Sequence, residues 1–328
     1  MLVEKLTDKS KQIKSLLAEY LGKRLSSYPE IRRQSLYPIN DIGILFRPCL
    51  FCTGINLSNK KIETNYFDIA VGIELLQIST LIIDDIFDDS PIRNGQESMP
   101  QKFGIKNTII IGELFRSLSN DIILNNQYLS DSEKHKIIVN LEEAYQKICI
   151  GQFLDLQYEK ISTITENEYY EMIAYTTGYF IQKSLLSGAV IAGISNQKYQ
   201  ALSEYGLKLG TAYQLRDDLV NILTDGSNGK VIAEDLIAHK KRLPVIYIIN
   251  NPNSKYKREF WKIWNKPTLS DGDIDNLLDI MINKTDSVDY CELQLKKLSK
   301  EAIDCIKQFR FGGQKKELID LAKLVCSV

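Results

Sequence analysis

Two groups of carboxylates are the residues best suited to do chemistry in this chain. The first comprises Asp84, Asp85, Asp88 and Asp89, and it follows a long apolar stretch. If 66–90 forms a helix, Asp84 and Asp88 lie one turn apart on the same face. Carboxylates crowded at the end of a buried helix repel one another, and their pKa values rise unless a cation compensates. The first group therefore indicates a cation-binding site.

The second group follows another apolar run much later in the chain. Asp217, Asn221 and Asp225 recur at four-residue spacing, so they line one stripe of a helix, and Asp218 lies beside them. Oxygen ligands without histidine or cysteine suit a hard cation such as Mg²⁺, which also takes water and phosphate oxygens. A solvated acidic helix face is the alternative for either group taken alone. Two such groups together favour the metal site.

Composition excludes several other classes of protein. The formal net charge of the 328 residues is −1, so no basic field would attract nucleic acid. No uncharged apolar window reaches the roughly 18 residues of a membrane span, and the first residues lack a signal-peptide core. The six cysteines form no recognisable metal pattern and are expected to be free thiols in a reducing, cytoplasmic location.

Helical periodicity predicts the elements that position the two groups. Helices are expected at 2–22, 66–90, 107–127, 131–158, 166–193, 197–223, 241–250, 272–284, 286–309 and 314–326. Segments rich in Gly, Pro, Ser or Asn predict loops at 23–40, 91–104, 224–240 and 251–257. Strand patterns are scarce and nothing looks like a domain boundary. We expect a single all-α domain over residues 1–328.

With these elements in place, the chain from about Gly43 onward resembles the trans-isoprenyl diphosphate synthase (polyprenyl synthetase) family. The motifs that carry the resemblance occur in this chain in the same order as in the family. They are Asp84-Asp85-Ile-Phe-Asp88, Arg93-Asn94-Gly95, Gly151-Gln152-Phe-Leu-Asp155, Gln214 with Asp217-Asp218-Leu-Val-Asn221, Gly229-Lys230, Asp235-Leu236, Lys240 and Leu243-Pro244.

The resemblance implies a fold and an active site. The fold would be an antiparallel helical bundle around a deep apolar cavity, the isoprenoid synthase fold, in a homodimer. The acidic helices would face each other at the mouth, where three Mg²⁺ ions hold an allylic diphosphate. The implied metal ligands are Asp84, Asp85, Asp88, Asp217, Asp218, Asn221 and Asp225, of which Asp84, Asp85, Asp88 and Asp217 would be catalytic. The implied diphosphate-binding residues are Arg93, Lys230, Lys240 and Gln214.

The predicted cavity is expected to be deep. In the family, bulky aromatic residues four or five positions before the first aspartate shorten the product, and here those positions are Thr80 and Ser79. We therefore expect a C15–C20 substrate, with C20 favoured. The other predicted lining residues are Gln152, Phe87, Phe153 and Phe180, and the aromatic faces of the three phenylalanines could stabilise a carbocation.

Two departures from the family pattern bear on the reaction. The acceptor, isopentenyl diphosphate, would be held by a lysine and an arginine that are replaced here by Ile44 and Asn94, although Arg47 and Gln77 remain. Each charge-assisted contact contributes about 1.5–3 kcal/mol, so the acceptor site should be weakened. This favours a terpene synthase, a carbon–oxygen lyase that quenches the carbocation internally. The alternatives are a chain-elongating prenyltransferase and a non-catalytic subunit of a heteromeric synthase.

Overall fold

The computed structural model describes residues 2–40, 43–57, 66–223, 233–251, 255–311 and 313–327, whose regular elements are almost all helices. The α-helices are α1 (Leu2–Arg24), α2 (Pro29–Leu36), α3 (Phe46–Ile55), α4 (Phe67–Phe87), α5 (Met99–Phe103), α6 (Ile105–Leu124), α7 (Asp131–Lys160), α8 (Glu166–Ile173), α9 (Tyr179–Ala192), α10 (Asn196–Leu223), α11 (Glu234–Ile237), α12 (Leu243–Asn250), α13 (Lys257–Trp264), α14 (Asp271–Asp279), α15 (Ser287–Ile306) and α16 (Gln314–Val325). Tyr37–Ile39 is a 3₁₀ turn, and Ala174–Gly178 and Ile280–Lys284 are π-helical. Two short strands, β1 (Ile92–Arg93) and β2 (Gln96–Glu97), pair antiparallel. The prediction of an all-α chain is confirmed.

The long periodic segments were predicted best. Helices α1, α4, α6, α7, α10, α12, α15 and α16 lie within a few residues of their predicted ranges. The helix predicted at 166–193 is interrupted by the π-helical turn, and the predicted loop 23–40 contains α2, which Pro29 begins at its first position. Helix α3 was not predicted because it is buried on every side and so carries no polar face.

The chain divides into two compact units. Unit 1 comprises Met1–Glu143, Lys183–Ser203 and Phe309–Asp320, and unit 2 comprises Ala144–Gln182, Glu204–Gln308 and Leu321–Val328. The single-domain organisation therefore stays a prediction. None of the helices in the described ranges is both long and apolar enough to cross a membrane.

Unit 1 is built around α4, whose apolar first part is buried on all sides. A Cβ at Gly72 of α4 would lie 2.8 Å from Ile122 and 3.2 Å from the Ser119 carbonyl oxygen, so a glycine lets α6 pack directly against α4. Helices α3 and α9 approach still more closely. A Cβ at Gly54 would lie 2.3 Å from the Leu185 carbonyl oxygen, and one at Gly188 would lie 2.1 Å from that of Phe51.

In unit 2, glycines likewise allow close packing between α10 and the π-helical turn. A Cβ at Gly210 would lie 2.7 Å from Gly178 Cα, and one at Gly206 would lie 2.9 Å from Gln182 Cα. A separate apolar cluster joins α12, α13 and α14 through side chains that include Ile248, Phe260 and Leu277. The close backbone approach fixes α10, which carries the second acidic group.

Helix α4 also buries a carboxyl group, Glu74, in the middle of its apolar stretch. Burial raises the pKa of Glu74 to about 8, although Arg47 and Lys14 act in the opposite direction. The side chain therefore holds a proton in the folded protein at a pH at which the unfolded chain has released it.

Replacing Gly188 with alanine should strongly destabilise unit 1, because the new methyl group would overlap the backbone of α3. We expect Gly188→Ala to lower the free energy of unfolding by about 3 kcal/mol, measured by urea denaturation. Gly22→Ala in α1 is the matched control, since nothing lies within 4 Å of its Cβ position. That variant should be unchanged or slightly more stable. Equal stability of both variants would contradict the close packing of α3 and α9.

Replacing Glu74 with glutamine should change how stability depends on pH. Between the ordinary pKa of 4.5 and about 8, only the folded chain keeps the Glu74 proton, so the free energy of unfolding falls as the pH rises. The slope is about 1.4 kcal/mol per pH unit, so Glu74→Gln should gain about 3 kcal/mol over wild type between about pH 5.5 and about pH 7.5.

The measurement is urea denaturation of both proteins at the two pH values. Glu113→Gln, at an exposed position of α6, should instead follow the wild-type protein at both. A Glu74→Gln difference that stays constant with pH would refute the buried proton.

Candidate active site

The first acidic group lies where α4 ends. The amide of Asp88 donates to the Asp84 carbonyl oxygen, the amide of Ser90 donates to that of Asp85, and Asp89 adopts a left-handed conformation with φ of 48°. This closure leaves Asp84 and Asp88 half-buried on one face, whereas the side chain of Asp85 is only 1% exposed. Within unit 1 the structure therefore brings three predicted ligands together, with different access to solvent.

Arg93 supplies the counter-charge for the buried member. Its Nε and Nη2 atoms lie 2.7 Å and 2.5 Å from Asp85 Oδ1, and Nη2 lies 3.6 Å from Asp84 Oδ2. Burial raises the pKa of Asp85, and Arg93 opposes the rise. Arg93 was predicted to bind diphosphate, and the structure places it beside the first acidic group, holding an aspartate.

A tight hairpin presents Arg93. Residues Asn94 and Gly95 form its two-residue turn, with φ of 52° and 78°, while Arg93 pairs with Gln96 across the strands. A turn with two positive φ angles favours Asn-Gly, since asparagine tolerates the left-handed region better than most other residues. Asn94 therefore has a backbone reason to stand where the family pattern has an arginine.

The residues expected to hold the acceptor also lie in unit 1. Arg47 is on α3, and Gln77 is on α4 with its Oε1 atom buried and without a hydrogen-bond partner among the described residues. Ile44 precedes α3 and its side chain is 45% exposed. Arg47 and Gln77 thus remain candidates for an anion site that lacks the charge of a lysine at 44.

In unit 2 the second acidic group centres on Asp218 of α10, which is 2% exposed. The Tyr169 hydroxyl donates to Asp218 Oδ2 at 2.6 Å, and Gln214 Nε2 donates to Oδ1 at 2.8 Å. Thr177, in the π-helical turn, donates to Gln214 Oε1 at 2.6 Å and so orients the amide. Burial raises the pKa of Asp218 above its usual range, with Arg242 opposing. Gln214, predicted to bind diphosphate, here holds an aspartate.

A second network in unit 2 surrounds Lys240, which is also 2% exposed. Its Nζ lies 2.8 Å from Asp155 Oδ2 and 2.7 Å from Glu159 Oε1. Asp155 also accepts from Arg242 Nη1 at 3.0 Å. Burial alone would raise the pKa of Asp155, but Arg242 and Lys240 outweigh it and lower the value. Lys240 was predicted to bind diphosphate, and here it is enclosed by carboxylates.

The remaining predicted ligands differ in access. Asp217 is half-buried, and Asn221 is buried with its Oδ1 atom lacking a hydrogen-bond partner among the described residues. Asp225 and Lys230 lie outside the described residues, so their predicted roles stay predictions.

The predicted cavity residues fall into buried and exposed sets. Ser79 and Phe180 are buried, Thr80 and Gln152 are half-buried, and Thr80 donates to the Gln77 carbonyl oxygen. Phe87 and Phe153 are 48% and 62% exposed. Their role in lining a cavity stays a prediction.

The two acidic groups offer oxygen atoms that a hard divalent cation can bind, but their residues differ in how available those oxygens are. Asp84 and Asp88 offer accessible carboxylate oxygens one turn apart, and Asn221 offers a buried oxygen to which no described group donates. Asp218 fits less well, because both of its oxygens already accept hydrogen bonds. Among the described residues, no three acidic, cysteine or histidine side chains are grouped closely enough to hold an ion by themselves. Mg²⁺ typically takes one or two carboxylates and completes its shell with water and phosphate.

Sequence reasoning missed Arg242 and Tyr169. The signal for Arg242 was the run Lys240-Lys241-Arg242, of which only the first residue was singled out. Tyr169 carries no local signal, since it lies on α8 and reaches Asp218 only through the fold.

Comparisons with known proteins agree with the family resemblance of the sequence motifs. The sequence model of the family described as polyprenyl synthetase matches residues 29–281, a range that includes both acidic groups. The chain is 33% identical over 189 residues to the short chain isoprenyl diphosphate synthase of Methanothermobacter thermautotrophicus, a match that spans 57% of each chain. It is 28% identical over 284 residues to the geranylgeranyl diphosphate synthase of Sulfolobus acidocaldarius, covering 85% of this chain and 84% of that protein.

Solved structures extend the likeness to the whole fold. The crystal structure of geranylgeranyl pyrophosphate synthetase from Pyrococcus horikoshii Ot3 superimposes with a TM-score of 0.88 at 26% identity, covering 100% of this chain and 98% of the other. The isoprenoid synthase fold expected from the motifs is confirmed.

Proposed function

This chain belongs to the polyprenyl synthetase family, and we propose that it is a prenyl diphosphate synthase that joins an allylic diphosphate to isopentenyl diphosphate. The observation that carries the proposal is the agreement among its relatives. Those described above are named as isoprenyl or geranylgeranyl diphosphate synthases, and the family match includes both acidic groups. The prediction of a terpene synthase finds no support in these comparisons.

In the proposed reaction the bond between the allylic carbon and the diphosphate oxygen breaks first. The double bond of isopentenyl diphosphate attacks the resulting carbocation, a carbon–carbon bond forms, and a proton is lost. Bound Mg²⁺ would stabilise the negative charge that develops on the leaving diphosphate. Asp84 and Asp88 would hold the cation, and Asp217 and Asn221 would do the same on α10. Arg93 would add positive charge beside the first acidic group, and this charge would help to stabilise the leaving diphosphate.

The structure supplies a reason to keep the acceptor site in this scheme. Asn94 forms a turn that favours asparagine, so its presence has a cause other than loss of an anion site. Arg47 and Gln77 are both present. We propose that they contact the acceptor diphosphate.

A terpene synthase is the second candidate, and one observation favours it. Ile44 exposes an apolar side chain where the family pattern has a lysine, which removes one charged contact from the acceptor site. If the acceptor does not bind, the carbocation can react only with its own double bonds, with water or by losing a proton.

The proposed cofactor and assembly follow the family resemblance. We propose Mg²⁺, with three ions for each active site, and a homodimer. The allylic substrate is proposed to be C15 or C20, because Ser79 and Thr80 are small and lie one turn before the first acidic group.

Incubation of the purified protein with Mg²⁺ and geranyl, farnesyl or geranylgeranyl diphosphate tests the function, with and without isopentenyl diphosphate. We expect longer prenyl diphosphates only when isopentenyl diphosphate is present, detected by mass spectrometry. Hydrocarbons or alcohols formed without it would establish the terpene synthase instead. No product under any condition would point to the non-catalytic subunit and sink both enzymatic assignments.

Asp84→Asn and Asp89→Asn form the matched pair for this assay. Both remove one negative charge from the same helix end, but only Asp84 is placed as a cation ligand. Asp84→Asn should lower kcat/KM by more than about a hundredfold, or about 2.7 kcal/mol, while Asp89→Asn should stay near wild type. Equal losses would show a general charge effect rather than a metal site.

Thr80→Phe should shorten the product, because Thr80 lies on the same face of α4 as Asp84 and one turn earlier. We expect the main product to become at least one C5 unit shorter than that of the wild-type protein, while Thr80→Val, which keeps the size, should preserve the wild-type product. Chromatography of the dephosphorylated products measures the shift. An unchanged chain length in Thr80→Phe would remove Thr80 from the cavity.

A further inference from the structure

Arg242 lies among three carboxylates that come from three different elements of unit 2. Its Nη1 lies 3.0 Å from Asp155 Oδ1 on α7, its Nη2 lies 3.1 Å from Asp235 Oδ1 on α11, and its Nε lies 3.8 Å from Asp218 Oδ1 on α10. All four side chains are largely buried. One guanidinium therefore neutralises part of an acidic group that was predicted to depend on metal.

The type of cation matters for what this arrangement can do. A guanidinium is charged at every pH at which the protein folds, and its planar fork bonds several carboxylates at once. It is also part of the chain, so it remains whether or not divalent ions are available. Burying three carboxylates without such a cation would cost several kcal/mol for each charge.

The contact with Asp218 differs from the other two. Arg242 Nε is buried and has no hydrogen-bond partner among the described residues, while the Asp218 oxygens accept from Gln214 and Tyr169. The guanidinium thus faces Asp218 at 3.8 Å without a direct hydrogen bond. A divalent ion binding to Asp218 would have to displace these donors and approach a fixed positive charge.

We propose that Arg242 is a built-in counter-cation of the second acidic group, which balances Asp218 and keeps divalent ions off its carboxylate, so that among the described ligands of α10 they bind Asp217 and Asn221. Asp218 then acts as a positioning residue that holds Tyr169, Gln214 and Arg242 together. The inference rests on the proposed function only in that a diphosphate is taken as the partner of the bound ions.

The first test compares two neighbouring carboxylates in the otherwise natural chain. Free Mn²⁺ is measured by electron paramagnetic resonance during titration of the whole protein with inorganic diphosphate present, so no turnover is needed. Asp217→Asn should weaken Mn²⁺ binding by about tenfold or more, and Asp218→Asn should change it by less than about threefold. Equal weakening by both variants, or no change in either, would overturn the proposal.

The second test removes the guanidinium. Arg242→Gln should tighten Mn²⁺ binding by about tenfold, because Asp218 becomes available, and adding Asp218→Asn should abolish the gain. Arg242→Lys keeps the charge but not the fork, so its Mn²⁺ affinity should lie between those of the wild-type and Arg242→Gln proteins. Lys208→Gln removes a different cation of unit 2, paired with Glu301, and should change nothing. An Arg242→Gln protein that folds, judged by circular dichroism, but binds Mn²⁺ like wild type would also overturn the proposal.

The two tests can fail or succeed independently of the proposed function. If Arg242→Gln does not fold, the comparison of Asp217→Asn with Asp218→Asn still decides the matter. A wild-type protein that makes no prenyl product but shows the expected Mn²⁺ pattern would defeat the proposed function and leave the role of Arg242 intact.

Discussion

The burial of negative charge at the end of an apolar helix is the constraint on which both acidic groups depend. In unit 1 the buried charge of Asp85 is balanced by Arg93, two nitrogen atoms of which contact the carboxylate. In unit 2 the constraint is met around Asp155 and Asp218, with Arg242 and Lys240 as the cations. A buried carboxylate without such a partner would take up a proton, as Glu74 does. Arg93 and Arg242 oppose the rise in pKa at Asp85 and Asp218, and Arg242 with Lys240 lowers the pKa of Asp155.

The helix packing within each unit also helps to position the buried carboxylates and their partners. Glycines let α6 lie directly against α4 in unit 1, and they let α10 lie directly against the π-helical turn in unit 2. The turn in unit 2 carries Thr177, whose hydroxyl orients Gln214 toward Asp218. Since π-helical turns are often found at functional sites, the irregularity has a role here in aligning a hydrogen-bond chain. Close backbone contact and side-chain orientation are thus parts of one arrangement.

The sequence predicts features that are local or periodic, and it misses those that need the fold. The long amphipathic helices and the spacing of Asp84 and Asp88 follow from periodicity alone. Helix α3 escaped prediction because complete burial removes its polar face. The bond from Tyr169 to Asp218 joins residues far apart in the chain, so spacing could not reveal it. Lys240 was read from its motif as a ligand of diphosphate, whereas its surroundings of Asp155 and Glu159 became visible only in the structure.

The two positions of the proposed acceptor site that lack a cation differ in what the backbone requires of them. Asn94 lies in a two-residue turn with positive φ angles, where asparagine followed by glycine is strongly preferred, so turn geometry by itself favours the residue. Ile44 precedes α3, and no such backbone demand acts there. Turn geometry therefore explains why asparagine occupies position 94, although both positions still lack the positive charge of the family pattern. With Arg47 and Gln77 retained, the proposed acceptor site keeps one positive charge and one amide donor with which to hold a diphosphate.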